Sequence, residues 1–175
     1  YPSVGVSFIP TKAFESLRGN KVLNYAKLNA SYTSVGNTSA VAAYDTNELT
    51  KIPLGFPFGN LSALGFDDTA TSPNIKPEFV NTFEVGAQFG FFNDRITLEG
   101  SYYVANTKDL ITRKTASAAS GLINVLDNVG ELENKGFEID LGLVPVKTAN
   151  FRWDLRTNLS SYKTKIIKLA DGALS

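Results

Sequence analysis

The stretch FVNTFEVGAQFGFFNDRITLEGSYYVAN, Phe79 to Asn106, decides the fold. From Phe79 to Phe91 its odd positions read Phe, Asn, Phe, Val, Ala, Phe, Phe, and the even positions between them read Val, Thr, Glu, Gly, Gln, Gly. A period of two belongs to a strand whose two faces meet different surroundings. Past Phe92-Asn93-Asp94-Arg95 the apolar set resumes at even positions, Ile96, Leu98, Gly100, Tyr102 and Val104. Asn and Asp tolerate the positive φ of a hairpin turn, so the parity switch predicts a two-residue turn at Asn93-Asp94. That register sets Phe92 opposite Arg95, Gln88 opposite Glu99 and Glu84 opposite Tyr103. Each strand then runs about twelve residues, where soluble strands average about five or six and a tilted strand crossing a bilayer needs about nine to eleven. Length and alternation together point to a membrane barrel rather than a sandwich.

The same unit recurs. Ala26, Leu28, Ala30 and Tyr32 alternate with Lys27, Asn29, Ser31 and Thr33. Gly136 to Leu143 and Phe151 to Leu159 alternate again, and Ser3 to Phe8 opens the chain. Six strands result. Their connections are moderate from Ile9 to Asn24, with a helical turn around Ala13 to Leu17, long from Gly36 to Lys76, tight at Asn93-Asp94, long from Lys108 to Lys135, and short from Pro145 to Asn150. Short turns at one side and long loops at the other are the pattern of an outer-membrane barrel. Phe89, Phe91, Phe151 and Trp153 fall beside the short turns, and Tyr32, Phe79 and Phe137 beside the long loops, as two aromatic girdles would. Phe83 and Tyr102 fall between them on the lipid-facing side. The span from Phe79 to Phe91, tilted at about 40°, rises roughly 25–30 Å, close to the height of the apolar band.

Composition narrows the chemistry. Lys and Arg number 17 and so do Asp and Glu, so no basic footprint invites nucleic acid. With no Cys and no His there is no disulfide, no thiolate or zinc site and no imidazole acid–base centre, and no cofactor is expected. Glu84 and Glu99 make a poor glycosidase pair, because the register projects them at different levels with no cleft around them. Asp67-Asp68 lacks the ligand spacing of a calcium loop. The chain is expected to be no enzyme. Having no Met, it reads as a processed product or an interior piece. The smallest membrane barrels have about eight strands, and open edges are not tolerated in hydrocarbon, so six strands are expected to be part of a larger wall.

Several motifs, in order, carry a family resemblance. They are Asn74-Ile75-Lys76-Pro77-Glu78, Glu84-Val85-Gly86, Phe91-Phe92-Asn93-Asp94-Arg95, Tyr102-Tyr103 followed by Asn106-Thr107-Lys108-Asp109-Leu110-Ile111, and Asn128-Val129-Gly130-Glu131-Leu132-Glu133-Asn134-Lys135-Gly136-Phe137-Glu138. Upstream, Leu28-Asn29-Ala30-Ser31-Tyr32 and Gly36-Asn37 fit the same stretch. Joined at this spacing they resemble the C-terminal half of the SusC/RagA-like TonB-dependent transporters. The resemblance implies a plugged barrel of twenty-two strands in the outer membrane of Bacteroidota, of which residues 1–175 are wall, without plug or N-terminal regions. It implies import of glycans or peptides, energised by TonB, under a SusD-like surface lipoprotein.

On that reading the lumen side carries Lys27, Asn29, Glu84, Gln88, Arg95, Glu99, Glu138, Asp140, Arg152, Asp154, Arg156 and Asn158, with Arg156 opposite or diagonal to Glu138 and Asp140. These charges are either passage lining or ordinary cross-strand pairs. Tyr44, Phe56, Phe58 and Phe66, in the long loop, are candidates for substrate or lid contact, against self-packing within the loop. Two rivals stay open: a complete small soluble β-domain for surface binding, and a barrel subunit of a larger complex without a transport role.

Overall fold

The computed structural model describes residues 1–47, 50–52, 57–58, 61–62 and 64–169. Along the chain lie β1 (Ser3–Phe8), α1 (Pro10–Ala13), a 3-10 turn (Glu15–Leu17), β2 (Leu23–Asn37), β3 (Thr50–Lys51), β4 (Pro57–Phe58), β5 (Leu61–Ser62), β6 (Gly65–Phe66), β7 (Thr69–Thr71), β8 (Glu78–Phe91), β9 (Ile96–Thr115), a second 3-10 turn (Ala118–Ser120), β10 (Asn124–Lys147) and β11 (Arg152–Leu169). The long strands form one antiparallel sheet in the order β1-β2-β8-β9-β10-β11, while β7 adds to β10 in parallel. Two small pairs, β3 with β6 and β4 with β5, stand apart from it.

The six expected strands are present, but three are much longer than expected. β9 has 20 residues, β10 has 24 and β11 has 18. Most of the loop expected from Lys108 to Lys135 is therefore strand, and the connection shrinks to residues 116–123. In β9 the alternation is broken in phase where Asp109 sits at φ 55, a left-handed residue that bulges the strand. Phe137 consequently lies in the interior of β10 rather than beside a loop. The connection expected from Pro145 to Asn150 narrows to residues 148–151, where Thr148 N–H donates to the Phe151 carbonyl at 2.7 Å and Phe151 N–H to Thr148 Oγ1 at 3.0 Å.

Two compact units divide the chain. One comprises Tyr1–Val35, Val80–Asn106 and Glu133–Lys165, and the other Gly36–Phe79, Thr107–Leu132 and Ile166–Ser175. In the first, β1 and β2 pair so that Val4, Val6 and Phe8 meet Tyr32, Ala30 and Leu28, while Ser3, Gly5 and Ser7 meet Thr33, Ser31 and Asn29. One face is apolar and the other polar, as the alternation requires. The helical turn expected around Ala13 to Leu17 is present as the 3-10 turn at Glu15–Leu17, and it is preceded by an α-helical turn at Pro10–Ala13, where Pro presets the first helical φ. It delivers the buried Thr11, whose Oγ1 accepts from Ala26 N–H at 3.2 Å and donates to the Ala26 carbonyl at 3.5 Å.

The hairpin keeps the expected register but not the expected turn. Phe92, Asn93 and Asp94 all have positive φ, and the turn covers residues 92–95. Phe92 N–H donates sideways to the Val22 carbonyl at 2.9 Å, and Asp94 Oδ1 accepts from Asn24 Nδ2 at 2.6 Å. Those contacts with the start of β2 open the turn beyond two residues.

Very little is buried. Among the described residues the buried apolar side chains are Ala26 in the first unit and Ile111 and Val129 in the second, and no large side chain is fully covered. Phe83 stays 48 % exposed, Leu155 41 % and Trp153 49 %. A soluble domain of this length would cover such a face with a second layer.

Candidate functional site: the polar face and the long loop

On the polar face of the first unit, side chains from four strands converge. Lys27 and Asn29 of β2, Glu84 and Gln88 of β8, Glu99 of β9 and Glu138 of β10 line a depression of about 350 Å³. Next to the hairpin turn, Gln88, Glu99, Asp94, Asp140 and Arg156 line another of about 410 Å³. Asp140 and Arg156 thus line the same depression. Gln88 Nε2 donates to Glu99 Oε1 at 2.7 Å, the cross-strand contact that the register predicts. Tyr103, which that register sets opposite Glu84, carries its ring the other way, over Gly136 of β10. A Cβ at Gly136 would lie 2.5 Å from the Tyr103 hydroxyl oxygen, and one at Gly86 would lie 2.9 Å from the Asn29 carboxamide. Glycine at these two positions is what lets a polar side chain lie flat across the neighbouring strand.

Four expected members, Arg95, Arg152, Asp154 and Asn158, line neither depression. Arg95 sits in the turn, where its carbonyl accepts from Val144 N–H at 2.7 Å. Arg152 and Asp154 pair with each other along β11 at 2.7 Å, both well exposed, which satisfies each locally.

The apolar face places the expected ring residues on β2, β8, β9, β10 and at the start of β11. Tyr32 and Asn81 share it, and Tyr32 Oη donates to Asn81 Oδ1 at 3.2 Å. The polar exception in the Phe79–Phe91 series is thereby satisfied by the polar tip of an aromatic residue, the behaviour of an interfacial tyrosine. Phe89 and Phe91 stack with centroids 6.2 Å apart near the turn.

In the second unit, Tyr44 is exposed at φ 70, and Phe66 is exposed on the β3–β6 pair. Phe58 belongs to the β4–β5 pair, with its side chain outside the description, and Phe56 lies outside the described residues. Sequence reasoning missed a polar knot here. Asn128, Glu78, Asn37 and the bulge at Asp109 meet, with Glu78 Oε1 accepting from Asn37 Nδ2 at 2.5 Å and Oε2 from Ile111 N–H at 3.2 Å. Each partner lies in one of the motifs read above, so the motifs were visible but their meeting point was not.

A family model described as "TonB dependent receptor-like, beta-barrel" matches residues 1–172. The chain belongs to this family of TonB-dependent receptor β-barrels. The TonB-dependent receptor P26 of Formosa agariphila is 32 % identical over 171 residues, covering 97 % of this chain and 17 % of that protein. The TonB-dependent receptor SusC of Bacteroides thetaiotaomicron is 32 % identical over 118 residues, covering 67 % of this chain and 12 % of that protein. Among solved structures, the RagAB peptide transporter superposes with a TM-score of 0.84 at 25 % identity, covering 97 % of this chain and 18 % of that one. This receptor barrel chain therefore spans less than a fifth of the length of these relatives.

Proposed function

We propose that this chain is wall from the barrel of an outer-membrane importer, which takes up nutrients too large for passive pores by gated translocation energised through TonB. The observation that carries the reading is a two-faced sheet with no second layer, in a chain matched over residues 1–172 by the receptor barrel family. Polar residues from Lys27 to Arg156 then face the lumen, lining a solvated passage or holding what fills it. The ring residues Tyr32, Phe79, Phe83, Phe89, Phe91, Tyr102, Phe137, Phe151 and Trp153 meet lipid. Tyr44 and Phe66, exposed on the long loop, offer rings to a captured sugar or peptide, or to a SusD-like surface lipoprotein.

The substrate classes proposed are glycan and peptide, and likeness to a structure described as a peptide transporter favours the second. Deleting the gene for the full-length protein and growing the strain on glycans or on peptides as sole source tests this. Loss of growth on one class, restored by the intact gene, is the expected result. Undiminished growth on both would overturn it and favour a barrel without a transport role.

A further inference from the structure

Between the end of β7 at Thr71 and the start of β8 at Glu78, the long loop leaves one ladder and joins another. Ser72 N–H donates to the Leu126 carbonyl at 2.9 Å, continuing the β7–β10 contact, and Ile75 N–H donates to the Ser72 carbonyl at 3.2 Å in a turn. Pro77 has no N–H to place. Both backbone polar groups of Lys76 go to a single side chain: Asn128 Oδ1 accepts from Lys76 N–H at 2.7 Å, and Asn128 Nδ2 donates to the Lys76 carbonyl at 2.9 Å. Asn128 Nδ2 also donates to the carbonyl of Asp109 at 2.6 Å. Asp109 is the left-handed residue of β9, a conformation that costs aspartate less than most residues but more than glycine, so that its surroundings help to hold it. Two residues later, Ile111 N–H is taken by the buried Glu78, the first residue of β8.

We propose that Asn128 is a conformational latch that couples the return limb of the long loop, residues 68–78, to the bulge at Asp109, so that the two are held or released together. The chemistry selects asparagine. The site asks for one acceptor, toward Lys76 N–H, and two donors, toward two carbonyls, and a primary carboxamide supplies that set. Aspartate keeps the acceptor, loses both donors and sets a charge against two carbonyl oxygens. With the latch gone, Asp109 is free to return to extended backbone, and that moves the rest of β9 by one residue in its pairing.

Amide hydrogen exchange on the full-length protein in a bilayer tests this, read on peptides covering residues 74–79 and 108–113, with 26–32 as control. In the wild type both test segments exchange slowly; fast exchange at 74–79 would overturn the latch without any variant. Asn128→Ala and Asn128→Asp are expected to speed both test segments tenfold or more and leave the control unchanged. Asp109→Gly alone is expected to leave both slow, and Asn128→Ala combined with Asp109→Gly to free 74–79 while 108–113 stays slow, because glycine holds the left-handed conformation unaided. Unchanged exchange in Asn128→Ala, or acceleration at 74–79 alone, would show that limb and bulge are not coupled.

Discussion

At the scale of single residues, the two faces of β8 differ in what they tolerate, and neighbouring positions make the comparison clean. Phe83 and Glu84 are adjacent in sequence and point to opposite sides of the sheet, the first into the apolar series and the second into the depression with Lys27 and Glu138. Replacing Phe83 with Arg in the full-length barrel is expected to cost about 2–4 kcal/mol of unfolding free energy in lipid, the penalty for a cation on the lipid face near mid-bilayer. Glu84→Arg at the same depth is expected to cost much less, and equal costs in denaturant titrations would refute the facing. Tyr32 gives a second residue-scale expectation. Its hydroxyl satisfies Asn81 on the apolar face, so Tyr32→Phe leaves Asn81 Oδ1 without that partner. A loss of about 1–3 kcal/mol is expected, relieved when Asn81 is also made Val. A cycle in which the two changes simply add would contradict the bond.

At the scale of elements, close approach fixes how β9 and β10 meet. Gly136→Ala would bring a methyl within 2.5 Å of the Tyr103 hydroxyl oxygen and 2.9 Å of the Ser161 carbonyl oxygen. An overpacking cost of about 1–3 kcal/mol is expected in the same unfolding measurement, partly relieved by Tyr103→Ala, which removes the ring but not the carbonyl. Full relief, or none, would place the clash elsewhere. The strands that the sequence displayed are those with a clean alternation, Phe79 to Phe91 and Ala26 to Tyr32, which on the proposed reading is what a strand with one face to lipid requires. Residues 107–115 and 124–135 are strand too, yet a strand that continues past the lipid needs no apolar face, and the left-handed Asp109 breaks the phase that would have betrayed it. The hairpin register was legible, since Gln88 does meet Glu99, whereas the turn itself was not. Its opening depends on Val22 and Asn24, far away in sequence. For the same reason the knot of Asn37, Glu78, Asp109 and Asn128 was invisible: its four members were readable in four motifs, but only the pairing of distant strands joins them.

At the scale of the whole molecule, a sheet with Ala26, Ile111 and Val129 as its buried apolar residues cannot derive its stability from a core of its own. Expressed alone in the absence of detergent, residues 1–175 are therefore expected to aggregate. A monodisperse soluble monomer in light scattering would revive the small surface β-domain. On the proposed reading, the same chain within a complete barrel gains its second layer from lipid on one side and a solvated interior on the other. The central claim is that division of surroundings. Site-directed spin labels placed singly at residues 79–91 of the full-length protein in lipid bilayers, read by collision with oxygen and with a water-soluble nickel chelate, test it most directly. The account predicts two profiles of period two in opposite phase, with oxygen favouring Phe83 and Val85 and the nickel chelate favouring Glu84 and Gly86. Profiles in phase, or aqueous access at every position, would contradict it.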